Sequence, residues 1–65
     1  MASLQLTFFQ KDERIGSETI YDALSRPEQQ IRAVEMARIK YPQADKVTGL
    51  YSGWSGSRSF TIENP

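Results

Sequence analysis

Apolar and polar positions alternate at the start of the chain. In "LQLTFF", Leu4, Leu6 and Phe8 point one way, and Gln5, Thr7 and Phe9 point the other. Period-two apolarity with aromatic content predicts a strand buried on one face. "KDERIGS" follows, charged and ending in Gly16-Ser17, which suits a turn. "ETIYDAL", residues 18–24, then reads as the return strand of a hairpin. Its inward row is open between two sets: Tyr21 with Thr19 and Ala23, or Ile20 with Leu24, which brings Asp22 into the same row.

The pattern then changes period. "SRPE" is a capping box, in which the Ser25 hydroxyl accepts from the Glu28 amide and the Glu28 carboxylate accepts from the Ser25 amide. Pro27 sits in the first turn, where its missing N–H costs nothing. A helix over about residues 26–41 follows, without glycine and stopped by Pro42. Glu28 at its start and Lys40 at its end both suit the helix dipole. At 100° per residue, Ile31, Val34, Ala37 and Tyr41 share one side with Ala33 flanking, and Arg32, Glu35, Met36 and Ile39 share the other. Small Ala33 and Ala37 allow the helix to lie close over a sheet.

"KVTGLYS" and "RSFTIE" restore alternation. Val47, Gly49 and Tyr51 interleave with Thr48, Leu50 and Ser52, and Phe60 and Ile62 interleave with Ser59, Thr61 and Glu63. Joined by the short "SGWSGS", they predict a second hairpin whose loop is 52–57. The order is strand, strand, helix, strand, strand. The predicted fold is a single α+β domain over 1–65, of ββαββ order, with a four-stranded, mostly antiparallel sheet and the helix packed on one face.

Size and composition narrow the chemistry. A chain of 65 residues buries only about 60% of the surface its unfolded form exposes. Small domains often add disulfides or a metal, but this chain has no Cys and no His. That removes disulfides, zinc ribbons, thiol catalysis, the commonest metal ligand and the usual proton-transfer side chain. Eight basic and eight acidic residues cancel, which argues against a protein held to nucleic acid by phosphate contacts. No apolar run approaches the length of a membrane span, and the N-terminus lacks a signal-peptide pattern. The expected setting is the cytoplasm, with no membrane association.

"GWSGS" invites comparison with a nucleophile elbow, but Gly53 and Gly56 are wrongly spaced and Ser55 has no histidine to activate it. A phosphate loop would need a Gly-Lys-Ser/Thr ending before a helix. Asp12, Glu13, Glu18 and Asp22 form an acidic group around the first turn without calcium-loop spacing. No catalytic, metal-binding or cofactor-binding residue is assigned. Neither an enzyme, a cofactor nor a small-molecule substrate is expected.

The remaining candidates are contact residues. Trp54, at the tip of the second hairpin between Gly53 and Gly56, either folds back to cap the small core or projects to anchor a partner. The two glycines are expected to supply positive φ there. Phe9 and Leu50 fall on the sheet face away from the helix, and Met36 and Ile39 on the outer side of the helix. The expected function is non-catalytic protein interaction, as an inhibitor, adaptor or accessory protein, by analogy of size with those of phages and mobile elements. It would bind a protein partner or itself through the outer sheet face and the 52–57 hairpin, using Phe9, Leu50, Trp54 and Arg58. The alternative is a small nucleic-acid-binding domain using Arg32, Lys40, Arg58 and sheet aromatics.

Overall fold

A computed structural model describes all residues from Met1 to Pro65. The elements are β1 (Ser3–Gln10), β2 (Glu13–Ile20), α1 (Arg26–Lys40), β3 (Lys46–Gly53) and β4 (Gly56–Glu63). The four strands form one sheet in the order β2-β1-β3-β4, with every pairing antiparallel. The predicted ββαββ α+β fold is the observed one, and α1 packs on one face, over β3 and β1.

Directly opposed residues of an antiparallel pair share a face, so the register fixes which side chains meet the helix. Leu4, Leu6 and Phe8 lie opposite Tyr51, Gly49 and Val47, and the last two lie opposite Phe60 and Ile62. Leu4, Leu6, Phe8 and Val47 are completely buried, and with Leu24, Ala33 and Ala37 they make the core. The outer face carries Gln5, Thr7, Thr48, Ser59 and Thr61, a polar set that an antiparallel sheet can leave to water.

The first hairpin is tighter than the charge pattern suggests. Its turn is Lys11-Asp12 alone, and β2 begins at Glu13, so "ERIGSETI" is the return strand and the 18–24 assignment is corrected. Both turn residues have positive φ (50° and 65°), the mirror-type turn that matches strand twist. Neither is glycine, so the turn is held from outside: Lys11 N–H donates to Asp45 Oδ2 at 2.8 Å, and Lys46 Nζ lies 3.5 Å from Asp12 Oδ1. A bulge opposite Phe8 and Phe9 leaves Ile15 as the extra residue, packed against the core. Of the two candidate rows, the structure selects Ile20 and Leu24; Tyr21 is 72% exposed. Asp22 lies beyond the strand end and is exposed, its Oδ1 accepting from Ala23 N–H.

The buried side of α1 also differs from the expected one. It is Gln29, Ala33 and Ala37, with Met36 packed against the core, while Ile31 is 55% and Ile39 80% exposed. Ala33 and Ala37 are the helix residues in the core cluster with Leu4, Leu6, Phe8 and Val47, and the branched Ile31 and Ile39 stay outside it. Gln29 is tolerated there because its Nε2 donates to Leu24 C=O at 3.0 Å. The capping box forms as expected, with Ser25 N–H donating to Glu28 Oε1 at 2.9 Å and Glu28 N–H to Ser25 Oγ at 3.4 Å.

Two glycines act as seats for aromatic rings. A Cβ on Gly49 would lie 2.3 Å from Phe60 Cζ, and one on Gly16 would lie 2.3 Å from Tyr41 Cε1. Tyr41, the C-cap residue, stacks on Phe8 with centroids 4.3 Å apart, and its hydroxyl donates to Glu18 Oε2 at 2.9 Å. Lys40 Nζ lies 3.4 Å from Glu18 Oε1. One carboxylate therefore ties the end of the helix to edge strand β2.

Gly49→Ala and Gly16→Ala should each lower stability by about 1–3 kcal/mol, the usual cost of overpacking, as read from urea denaturation. Glu28 titrates below the usual carboxylate range, chiefly because its carboxylate accepts from the Ser25 N–H and, second, through the Ser25 side chain. The stability it contributes is fully present above its unfolded-state value, about 4.3, and is lost as pH falls through the lower folded value. Tyr41 titrates above the usual phenol range because its hydroxyl donates to Glu18. Its contribution is present below the unfolded-state value, about 10, and is lost as pH rises beyond it. Urea titrations across pH should show both limbs, the acid one weakened in Glu28→Gln and the alkaline one in Tyr41→Phe.

Candidate functional site

The β3–β4 tip is a two-residue loop: Gly53 pairs with Gly56, leaving Trp54 and Ser55 to turn the chain. The expected 52–57 loop is thus mostly strand. Only Gly56 takes a positive φ, at 126°. The expectation for Gly53 is corrected: the turn confines its unusual torsion to one residue. Gly53 serves packing instead, since an added Cβ would sit 3.1 Å from the Tyr51 ring.

Trp54 is 102% exposed, as open as a residue can be. It projects, and the core closes without it. Behind it, the tip is anchored to the start of the helix. Leu24 N–H donates to the Tyr51 hydroxyl at 3.1 Å, and Leu24 C=O accepts from Gln29. Leu24 itself is buried. An open cleft of about 380 Å³ lies between the helix start and the tip, lined by Leu24, Arg26, Gln29 and Tyr51 on one side of the sequence and 53–58 on the other.

Arg58 lies opposite Tyr51, so its side chain belongs to the helix side of the sheet, where it lines this cleft with Arg26. Neither guanidinium has a carboxylate within ion-pair distance; the two ion pairs of the molecule are Lys40–Glu18 and Lys46–Asp12. The cleft is therefore a mixed surface of two unpaired cations and hydroxyls, with the exposed Trp54 at its rim.

Phe9 and Leu50 lie elsewhere. They are on the outer face, but Phe9 pairs with Lys46 and Leu50 with Gln5. Four residues of strand, about 13 Å at 3.3 Å each, separate them. Phe9 is half-buried with Lys46 Nζ 4.8 Å from its ring centroid, and Leu50 is 42% exposed. Of the four predicted contact residues, the structure brings together Trp54 and Arg58 and separates Phe9 and Leu50 from them and from each other. Arg26, Gln29 and Tyr51 complete the cleft and were not singled out from sequence. Arg26 carried one signal, its place just after the capping serine, but its proximity to the second hairpin depends on the tertiary fold.

The residues of the nucleic-acid alternative are also dispersed. Lys40, at the far end of α1, is engaged with Glu18, whereas Arg58 faces the helix start, roughly 20 Å away at 1.5 Å per residue. The acidic group is likewise spread out: Asp12 and Glu13 at the first turn, Glu18 under Tyr41, Asp22 beyond the strand. No His, Cys, Asp or Glu trio is placed to hold a metal ion. No helix is long and apolar enough to cross a membrane. Comparison of the chain with protein-family models, with characterised proteins and with solved structures finds no match.

Trp54→Ala should leave stability within about 0.5 kcal/mol of wild type, as for surface substitutions. Tyr51→Phe, which removes the hydroxyl bonded to Leu24, should cost about 1 kcal/mol. Thermal or urea melts of the two variants check both values.

Proposed function

We propose that the chain is a small non-catalytic protein-interaction module, of the inhibitor, adaptor or accessory kind, and that the β3–β4 tip is its principal contact. The observation that carries this reading is Trp54, fully exposed on a two-residue turn whose strand is tied by the Tyr51–Leu24 bond to the segment leading into the helix. An exposed indole contributes nothing to the fold here. Buried in a partner's pocket it supplies a large apolar area at little conformational cost, since the tip is already ordered. Arg26 and Arg58 flank it with unpaired charge. The partner segment that suits such a surface carries a carboxylate beside an apolar side chain. Leu50 and Phe9 would add a weaker contact on the outer face.

Affinity capture from the native host with wild type, Trp54→Ala, Arg58→Glu and Leu50→Asp tests the reading. A specific partner should be lost from Trp54→Ala, with affinity weaker by about thirtyfold or more, as for interface anchors. It should be strongly reduced in Arg58→Glu and only modestly in Leu50→Asp. A partner that binds Trp54→Ala as tightly as wild type contradicts the proposal.

A further inference from the structure

The two edges of the sheet are not alike. Edge strand β2 carries a bulge at Ile15 and the charged residues Glu13, Arg14 and Glu18, and Lys40 and Tyr41 reach over to it. These are devices that discourage a further strand from adding. Edge strand β4 has none of them along Ser59–Ile62: no charge, no proline and no bulge. It is eight residues long and pairs without irregularity to β3.

Beside β4 the helix leaves an apolar groove. Because α1 sits over β3 and β1, Phe60 and Ile62 are only half-buried, and Ile62 faces Ile31 and Val34 across an open cavity of about 490 Å³. Glu35 and Arg38 also line that cavity, and neither has an ion-pair partner.

We infer that β4 is the dimerisation edge of this protein, and that the occupant of the groove is a second copy of the chain. A two-fold axis perpendicular to the sheet, passing beside Thr61, pairs the two β4 strands antiparallel and keeps both helices on one face. Phe60 then lies opposite Ile62 of the second copy, Thr61 opposite Thr61, and Ser59 opposite Glu63. Apolar meets apolar, and no charge faces a like charge. Shifting the register by two residues towards the tip would instead set Arg58 against Ile62.

The same axis runs the two helices antiparallel, which brings Glu35 of each copy towards Arg38 of the other. This charge pattern is self-complementary, and it is what selects a second copy over an unrelated strand. With strands about 4.8 Å apart, the axis lies roughly 7 Å beyond β3 and 12 Å beyond β1, so helices that sit over both strands are about 15–19 Å apart. Long Arg and Glu side chains span such a gap above the two sets of Ile31, Val34 and Ile62. The product is an eight-stranded antiparallel sheet with a Trp54 tip free at each end. The contact is distinct from the tip and stands or falls separately from it.

Sedimentation velocity at about 100 µM, above the micromolar dissociation constants of weak interfaces, tests the inference. Wild type and Trp54→Ala should both be dimers. Thr61→Lys sets two ammonium groups opposite each other at the axis and should be monomeric. Glu35→Arg should weaken the dimer by about tenfold or more through repulsion with Arg38, and the double variant Glu35→Arg/Arg38→Glu should restore it. All these positions are exposed, and circular dichroism checks that each variant is folded. A monomeric wild type overturns the inference. So does a dimer that survives both Thr61→Lys and Glu35→Arg, or one that is lost in Trp54→Ala.

Discussion

The structure depends on a single row of side chains. Leu4, Leu6 and Phe8 of the central strand β1 are the largest fully buried groups apart from Val47 beside them, and α1 meets them with Ala33 and Ala37. Because the helix contributes methyl groups, it settles close to the two central strands and covers little else. Everything lateral to that contact is secured by smaller devices. Tyr41 and Glu18 secure the β2 side, Asp45 the first turn, and Tyr51 the hairpin on the far side. A core this narrow leaves β4 half-covered and the tip beyond it uncovered.

The strand–strand–helix–strand–strand order was legible because each element carries its own period and its own stop. The alternation of Val47, Tyr51, Phe60 and Ile62 places those residues correctly on the helix side, and the capping box at Ser25 marks the helix start to the residue. The reading of the helix's buried side failed because local pattern does not record how the elements pack on one another. A helical wheel weighs Ile31 above Ala33, but in the fold Ala33 is fully buried and Ile31 is exposed. The first turn failed differently. Asp12 tolerates positive φ but Lys11 is a poor choice for it, and the turn is supported by Asp45 and Lys46, over thirty residues away in the chain.

The candidate site was half legible. Trp54 between two glycines is conspicuous in the sequence, and its projection follows from a core that closes without it. Arg58 shares the row of Phe60 and Ile62 by alternation, but that this row meets Arg26 at the helix start depends on the tertiary fold. Arg26 could not be found at all, since the cleft exists only where the helix start meets the second hairpin. Phe9 and Leu50 were rightly assigned to the outer face, yet a shared face is not a shared patch.

The claim underneath the functional reading is that the indole of Trp54 stands in water while the rest of the chain is folded. The chain has one tryptophan and three tyrosines, so fluorescence excited at the red edge, where tyrosine does not absorb, reports the indole alone. In dilute native protein its emission maximum and its quenching by acrylamide should match those of the urea-unfolded chain, even as circular dichroism records the loss of structure. A blue-shifted native emission, shielded from quencher and released on unfolding, would show the indole packed into the fold and contradict the account.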